Sequence, residues 1–123
     1  MLSIVHLAPP TPGADLRELG RASLAVLAAR DGFVRGSLGR ATDDAEAWVL
    51  VTEWTTVGAY RRALGHGSVK MTATPLFYLA DGRVSAFEQL VQVGPDGVLT
   101  EAGTDLADAA DAAHAADPAD ERR

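Results

Sequence analysis

The chain has 123 residues, the length of one domain with a single core, and 47% of them are apolar, as in a soluble globular protein. It contains no cysteine, which removes disulfides, thiol nucleophiles and thiolate metal sites together. The net charge of −6 is uneven: residues 1–95 carry nine acids against nine bases, while the remaining eight acids face only Arg122 and Arg123. The neutral body offers no basic footprint for a phosphate backbone, so nucleic acid is not an expected partner. No run approaches the ~20 apolar residues of a membrane span. MLSIVHLAPP has neither the basic segment nor the cleavage site of a signal peptide, and a cytoplasmic protein is expected.

Residues 2–7, LSIVHL, are short, apolar and β-branched, and read as a buried first strand ended by PPTPG. A helix is expected from Asp15, with Asp15 and Glu18 in capping-box spacing and Leu16, Leu19, Ser23, Val26 and Leu27 on one face. Asp31-Gly32 ends it. FVRGSLGRA, residues 33–41, reads as the second strand. After the turn Thr42-Asp43-Asp44 comes the third strand, Ala45 to Thr55, with Trp48, Leu50 and Trp54 on one face and Ala47, Val49 and Val51 on the other. Both faces of this strand want cover, and the helices can supply only one layer, so a second copy is expected on the other face. A second helix is predicted over Val57 to Leu64, continuing irregularly to Pro75, with LFYLA as a separate helical turn. Arg83 to Val93 reads as the fourth strand, and Gly94-Pro95-Asp96-Gly97 ends the globular part.

The order β-α-β-β-α-β predicts an α+β, ferredoxin-like domain over residues 1–95. The Ala/Asp-rich tail, 96–123, is expected to be disordered or loosely docked.

Trp54 and Tyr60 flank a strand-to-helix junction. They read either as an aromatic wall for a planar ligand or as the rim of the core, and aromatic side chains more often pack than bind. Glu53 has the parity of Val49 and Val51, so it should face the partner layer, as an interface salt bridge or a surface charge at the strand end, with catalysis as the minority reading. One of Glu88 and Gln89 should make a buried hydrogen bond. His114 lies in the tail, and His6 reads as a satisfied core histidine. His66 follows the second helix, where it serves either as a cap or as a general base. No His spacing suits a metal, so none is expected. Arg61, Arg62 and Lys70 form a basic face that is solvated, paired with carboxylates such as those of the acidic tail, or facing an anionic substrate. No phosphate-loop motif and no nucleophile elbow around Ser23, Ser37, Ser68 or Ser85 occurs.

Over residues 1–93, DGFVRGSLGRA, the strand ending VTEW, and VGAYRRAL followed by VKMTATPLF resemble the antibiotic biosynthesis monooxygenase family, in particular small actinobacterial members with a W-x-x-V-G-x-Y-R-R-A-L segment. The resemblance implies a dimeric α+β barrel, two ferredoxin-like units facing across their sheets. Some members oxidise phenolic or anthrone intermediates to quinones with O₂ and without metal or flavin, by holding an anion that itself reduces oxygen. In those members a Trp ending the third strand and a Tyr six residues later lie in the pocket, as Trp54 and Tyr60 do by position. Their strand Asn corresponds to Leu50 here, and the chain has no asparagine at all. The resemblance also takes in heme-degrading relatives, which need an Asn on the first strand, a Trp and a heme-ligating His on the second helix, near which His66 falls; another pattern places a His where Ala63 stands.

The expectation is therefore a homodimeric, cofactor-independent monooxygenase acting on a planar phenolic or polycyclic secondary metabolite. Trp54 walls the pocket, Tyr60 or Arg35 hydrogen-bonds the substrate oxyanion, His66 is the base, and Phe77 and Tyr78 close the lid side. A non-catalytic small-molecule binder or pathway accessory protein is the alternative, favoured by the missing Asn. A polyketide cyclase or isomerase on the same fold is a third.

Overall fold

The computed structural model describes residues 1–103. It contains β1 (Leu2–Leu7), α1 (Arg17–Ala28), β2 (Phe33–Arg40), β3 (Trp48–Trp54), α2 (Val57–Gly65), α3 (Gly67–Phe77), β4 (Ala86–Phe87), β5 (Val91–Val93) and β6 (Leu99–Glu101). One compact unit spans Met1–Phe87 and a second begins at Glu88.

In the first unit an antiparallel sheet has the order β2-β3-β1-β4, the arrangement of a ferredoxin-like α+β fold. β1 and β3 pair along their length, from Leu2 opposite Glu53 to Leu7 opposite Trp48. Their burial alternates with period two. Ser3, Val5 and Leu7 of β1 are buried, as are Trp48, Leu50, Thr52 and Trp54 of β3, and the residues between them are half-buried. Successive side chains of a strand point to opposite faces, so the buried set forms one face. It joins Leu16, Leu27, Ala59, Tyr60, Ala63, Val69, Ala73 and Leu76 in a single core. The other face carries Leu2, Ile4, His6, Val49 and Val51, flanked by the Arg35–Glu53 ion pair at 3.0 Å. The two-sided apolar character read from the third strand is thus present, and Glu53 lies on the face opposite Trp54.

Two glycines set the helix–sheet spacing. A Cβ on Gly20 would lie 2.5 Å from Leu38 Cδ2, so α1 approaches β2 only because that side chain is missing. Gly32, with φ of 87°, turns the chain from α1 into β2 while its carbonyl accepts the Thr55 N–H at 2.8 Å. A Cβ there would meet Ala59 Cβ at 2.5 Å.

Three local expectations differ. The capping box does not form: α1 has Leu16 at its N-cap with no side-chain cap. Asp15 instead accepts the Arg17 N–H at 2.9 Å and pairs with its guanidinium at 2.6 Å, and these contacts hold the Asp15 carboxyl down at about 2. Glu18 pairs with Arg21, one turn away on the same side of the helix.

The irregular continuation of the second helix resolves into two helices meeting at His66. Thr56 caps α2 by accepting the Ala59 N–H at 3.0 Å, and the His66 side chain caps α3 by accepting the Ser68 N–H at 3.2 Å. His66 has extended backbone angles, which break the helical run. α3 then passes through Pro75 to Phe77 and takes in part of the expected separate turn.

The fourth strand is broken. Only Ala86 and Phe87 pair with β1, opposite Ser3 and Leu2. In the second unit β5 pairs with β6 as a hairpin. Its turn is Gly94 to Gly97, where Gly97 has φ of 78° and Asp96 Oδ1 accepts the Val98 N–H at 2.9 Å. The punctuation read as the end of the globular part is a hairpin turn, and a local pairing partner takes residues 91–93 out of the long strand. The rest of the expected tail, with His114, lies outside the described residues.

Gly32→Ala is expected to lower unfolding free energy by about 2–4 kcal/mol, the sum of left-handed strain and the clash with Ala59. Urea unfolding monitored by circular dichroism measures it, and a change within 0.5 kcal/mol, roughly the surface-substitution level, would remove the turn from the fold's requirements.

Candidate functional site

Trp54 ends β3 and is fixed on both sides. Its N–H donates to Met1 O at 2.9 Å, Met1 N donates back to Trp54 O at 2.9 Å, and the next residue is tied to Gly32. The capped helix α2 begins at once and brings Tyr60 back over the strand end. The Trp54 and Tyr60 rings stand 5.7 Å apart at 54°, and Phe33 meets Trp54 edge-on at 5.2 Å and 87°, the offset geometry that the ring quadrupoles favour. Trp54 is 1% exposed and Tyr60 8%.

The polar ends of both rings are satisfied by the sheet. Trp54 Nε1 donates to Thr52 Oγ1 at 2.9 Å, and Ser3 Oγ donates to the Tyr60 hydroxyl oxygen at 3.1 Å. Ser3 and Thr52 are direct cross-strand partners, each almost fully buried. The site is therefore two aromatic rings seated on two adjacent hydroxyls, an arrangement that fixes the position of the phenol. Sequence reading passed over Ser3, Thr52 and Phe33. The signal was there in parity: Ser3 shares the face of Val5 and Leu7, Thr52 that of Leu50 and Trp54, and a hydroxyl on a buried face needs a partner.

The remaining predicted site residues lie elsewhere. Arg35 is on the other face of the sheet from Trp54, three-quarters exposed and engaged with Glu53. His66 lines a depression of about 170 Å³ with Arg30, Asp31, Ala59, Arg62 and Ala63. Its Nδ1 is occupied by the cap to Ser68, so action as a base at that nitrogen requires release of the cap. Phe77 is half-buried against the core, and Tyr78 is 82% exposed at the end of α3. Leu50, in place of the Asn of quinone-forming relatives, is 1% exposed and belongs to the core.

On the open sheet face His6, Gly39, Ala41, Ala47 and Val49, together with Arg40 and Trp48, line a second depression of about 300 Å³. The Arg40 guanidinium lies 5.2 Å from the Trp48 ring centroid, and Trp48 Nε1 is buried with no partner among the described residues. Among the described residues no cluster of His, Asp or Glu could hold a metal ion, and no helix is long and apolar enough to cross a membrane.

An antiparallel sheet in the order β2-β3-β1-β4, with its helices on one face, defines a ferredoxin-like α+β domain, and a buried Trp–Tyr pair closes the end of its third strand. SnoaB, a cofactor-independent oxygenase from Streptomyces nogalater, is similar at 25% identity over 85% of this chain and 94% of that one, with a TM-score of 0.58. A SnoaB variant carrying one Asn-to-Ala substitution matches at 30% identity over 64% of this chain and 82% of that one, with a TM-score of 0.54. A candidate antibiotic biosynthesis monooxygenase from Nitrosomonas europaea shares the fold at 13% identity, over 84% and 98% of the two chains, with a TM-score of 0.55. No family model and no curated protein matches the sequence. On the SnoaB similarity, the chain belongs to the antibiotic biosynthesis monooxygenase family.

Ser3→Ala and Tyr60→Phe are each expected to destabilise by about 1–3 kcal/mol, since each leaves a buried hydroxyl without its partner. The double variant should cost clearly less than the sum, and a denaturation double-mutant cycle reads the coupling. Additive losses would mean that the two hydroxyls do not interact.

Proposed function

We propose that the protein is a cofactor-independent oxygenase that converts a planar phenolic or anthrone-like substrate to a quinone with O₂. The observation that carries this reading is the Trp54–Tyr60 pair, with its phenol oriented by Ser3, in a chain similar to a cofactor-independent oxygenase.

The substrate ionises to an electron-rich anion, and the Tyr60 O–H donates to its oxygen, stabilising charge where it develops. Trp54 stacks against the planar ring system. The anion passes one electron to O₂, and the resulting radical and superoxide combine in a new C–O bond. The hydroperoxide so formed loses water, and the carbon that carried two hydrogens becomes a carbonyl. One oxygen atom enters the product, the other leaves as water, and O₂ accepts all four electrons from the substrate. His66 enters as the base when its cap to Ser68 opens. In this reading Phe77 and Tyr78 border the entrance and Arg35 serves the second face of the sheet.

That second face supports a homodimer of the actinobacterial type with facing sheets. Leu2, Ile4, Val49 and Val51 offer a continuous half-buried apolar surface, of a kind that proteins cover with a second layer.

One observation favours a second reading, a non-catalytic binder. Trp54 and Tyr60 are packed in the core, neither lines either depression described above, and Leu50 supplies no polar group beside them.

Under air, the purified protein should produce the quinone from an anthrone substrate well above the buffer rate, followed by absorbance. Tyr60→Phe should lower kcat/KM by about 10²-fold, the scale of one lost oxyanion donor. A rate equal to buffer, with anthrone still quenching tryptophan fluorescence saturably, would replace the enzyme by the binder. In sedimentation velocity the protein should run at about twice its 12.9 kDa chain mass, and Ile4→Glu should shift it to the monomer. A wild-type monomer at micromolar concentration would remove the facing-sheet assembly.

A further inference from the structure

Just past the end of α1, Arg30 and Asp31 meet the face of α2 formed by Ala59, Arg62 and Ala63, with His66 at its end. The depression between them, about 170 Å³, carries two guanidiniums and an imidazole against one carboxylate. The ion pairs of the described residues are Arg17–Asp15, Arg21–Glu18, Arg35–Glu53 and Arg83–Asp81, so neither guanidinium here has a carboxylate partner among the described residues.

Arg30 is held in place through Nη2, which donates to Ala29 O at 3.1 Å, while its Nε is buried without an acceptor. Burying a charged donor unpaired is costly, and no acceptor reaches this one among the described residues. Arg62 folds back along α2: a Cβ on Gly58 would lie 3.2 Å from Arg62 Nη1. The glycine one turn earlier thus lets the guanidinium lie close against the helix. Ala59 and Ala63, two small side chains, leave the volume between the cations open.

A structural account covers part of this. Arg62 stands in the last turn of α2, where a cation is favoured by the helix dipole. The same account covers Arg30, just past the C-terminal end of α1 and bonded to the Ala29 carbonyl, but it leaves the unpaired Nε of Arg30 unexplained.

We infer that this depression binds a small oxyanion, the carboxylate or phosphate group of a ligand, with Arg30 and Arg62 as its donors. The planar fork of a guanidinium matches both groups. Asp31 at the rim lowers the net positive charge and favours a singly charged group over a dianion. The depression shares His66 with the proposed oxygenase site but takes in neither Trp54 nor Tyr60, and its occupancy does not depend on oxygenase activity.

Titrating the full-length protein with sodium acetate and, separately, sodium phosphate tests it, with amide NMR spectra referenced to sodium chloride at equal ionic strength. Saturable shifts confined to residues 29–32 and 58–67 are expected, and whichever salt saturates assigns the class. Arg62→Gln, at an exposed position, and Arg30→Gln should each weaken binding by about tenfold or more, the worth of one charge-assisted hydrogen bond. Should Arg30→Gln fail to fold, Arg62→Gln decides alone. Shifts that match chloride for both salts, or an affinity unchanged in Arg62→Gln, would overturn the site.

Discussion

The period-two alternation of the two central strands is the constraint on which the molecule depends. β1 and β3 lie side by side in full register, and every second residue of each enters the core. A shift of one residue would send Trp48, Leu50 and Trp54 to the open face and bring Glu53 inward, which no neighbouring helix could accommodate. The same register sets Ser3 opposite Thr52. The seats of the tyrosine and the tryptophan are therefore one fact of strand pairing, and the position of the candidate site follows from the packing of the sheet.

Much of this was legible in the residues. The apolar run of β1, the two-sided third strand and the apolar face of α1 each follow from local pattern, and together they support the element order. The position of Glu53 followed from parity alone. What was not legible came from competition between neighbours. Asp15 and Glu18 have the spacing of a capping box, but each has an arginine within three residues, and the carboxylates pair with those. The run 83–93 reads as one strand until Gly94 to Gly97 is recognised as a turn that offers residues 91–93 a nearer partner. Of the site, the aromatic pair was legible and its hydroxyl supports were not, because Ser3 and Thr52 carry no motif. They acquire meaning only once two segments fifty residues apart are paired.

The site holds two tendencies in tension. Hydrogen bonds to both aromatic side chains fix their orientation, which suits recognition of a planar anion. The burial that makes those bonds valuable also closes the rings in a packed core, and a ligand has to displace part of that packing to reach them. Leu50 adds to the closure where quinone-forming relatives carry an amide. The cationic depression beside α2 presents the reverse case, with open volume and charge that has no carboxylate partner among the described residues. Between them the two faces of α2 divide the chemistry of the domain: Tyr60 on the side of the sheet, Ala59, Arg62 and Ala63 on the side of α1.

The pairing of Leu2 with Glu53 has a consequence for how the fold is reached. The first strand completes its bonds only after the chain has been made as far as Trp54, and until then LSIVHL is an apolar segment with unpaired backbone. During synthesis the β2–β3 hairpin and α1 can form from near neighbours, whereas β1 must wait for the last strand of that group. Closing this long loop is the slow step that topology imposes, and association of the exposed segment with other chains competes with it as concentration rises. The segment most exposed to association with other chains is thus the one that later forms the middle of the sheet.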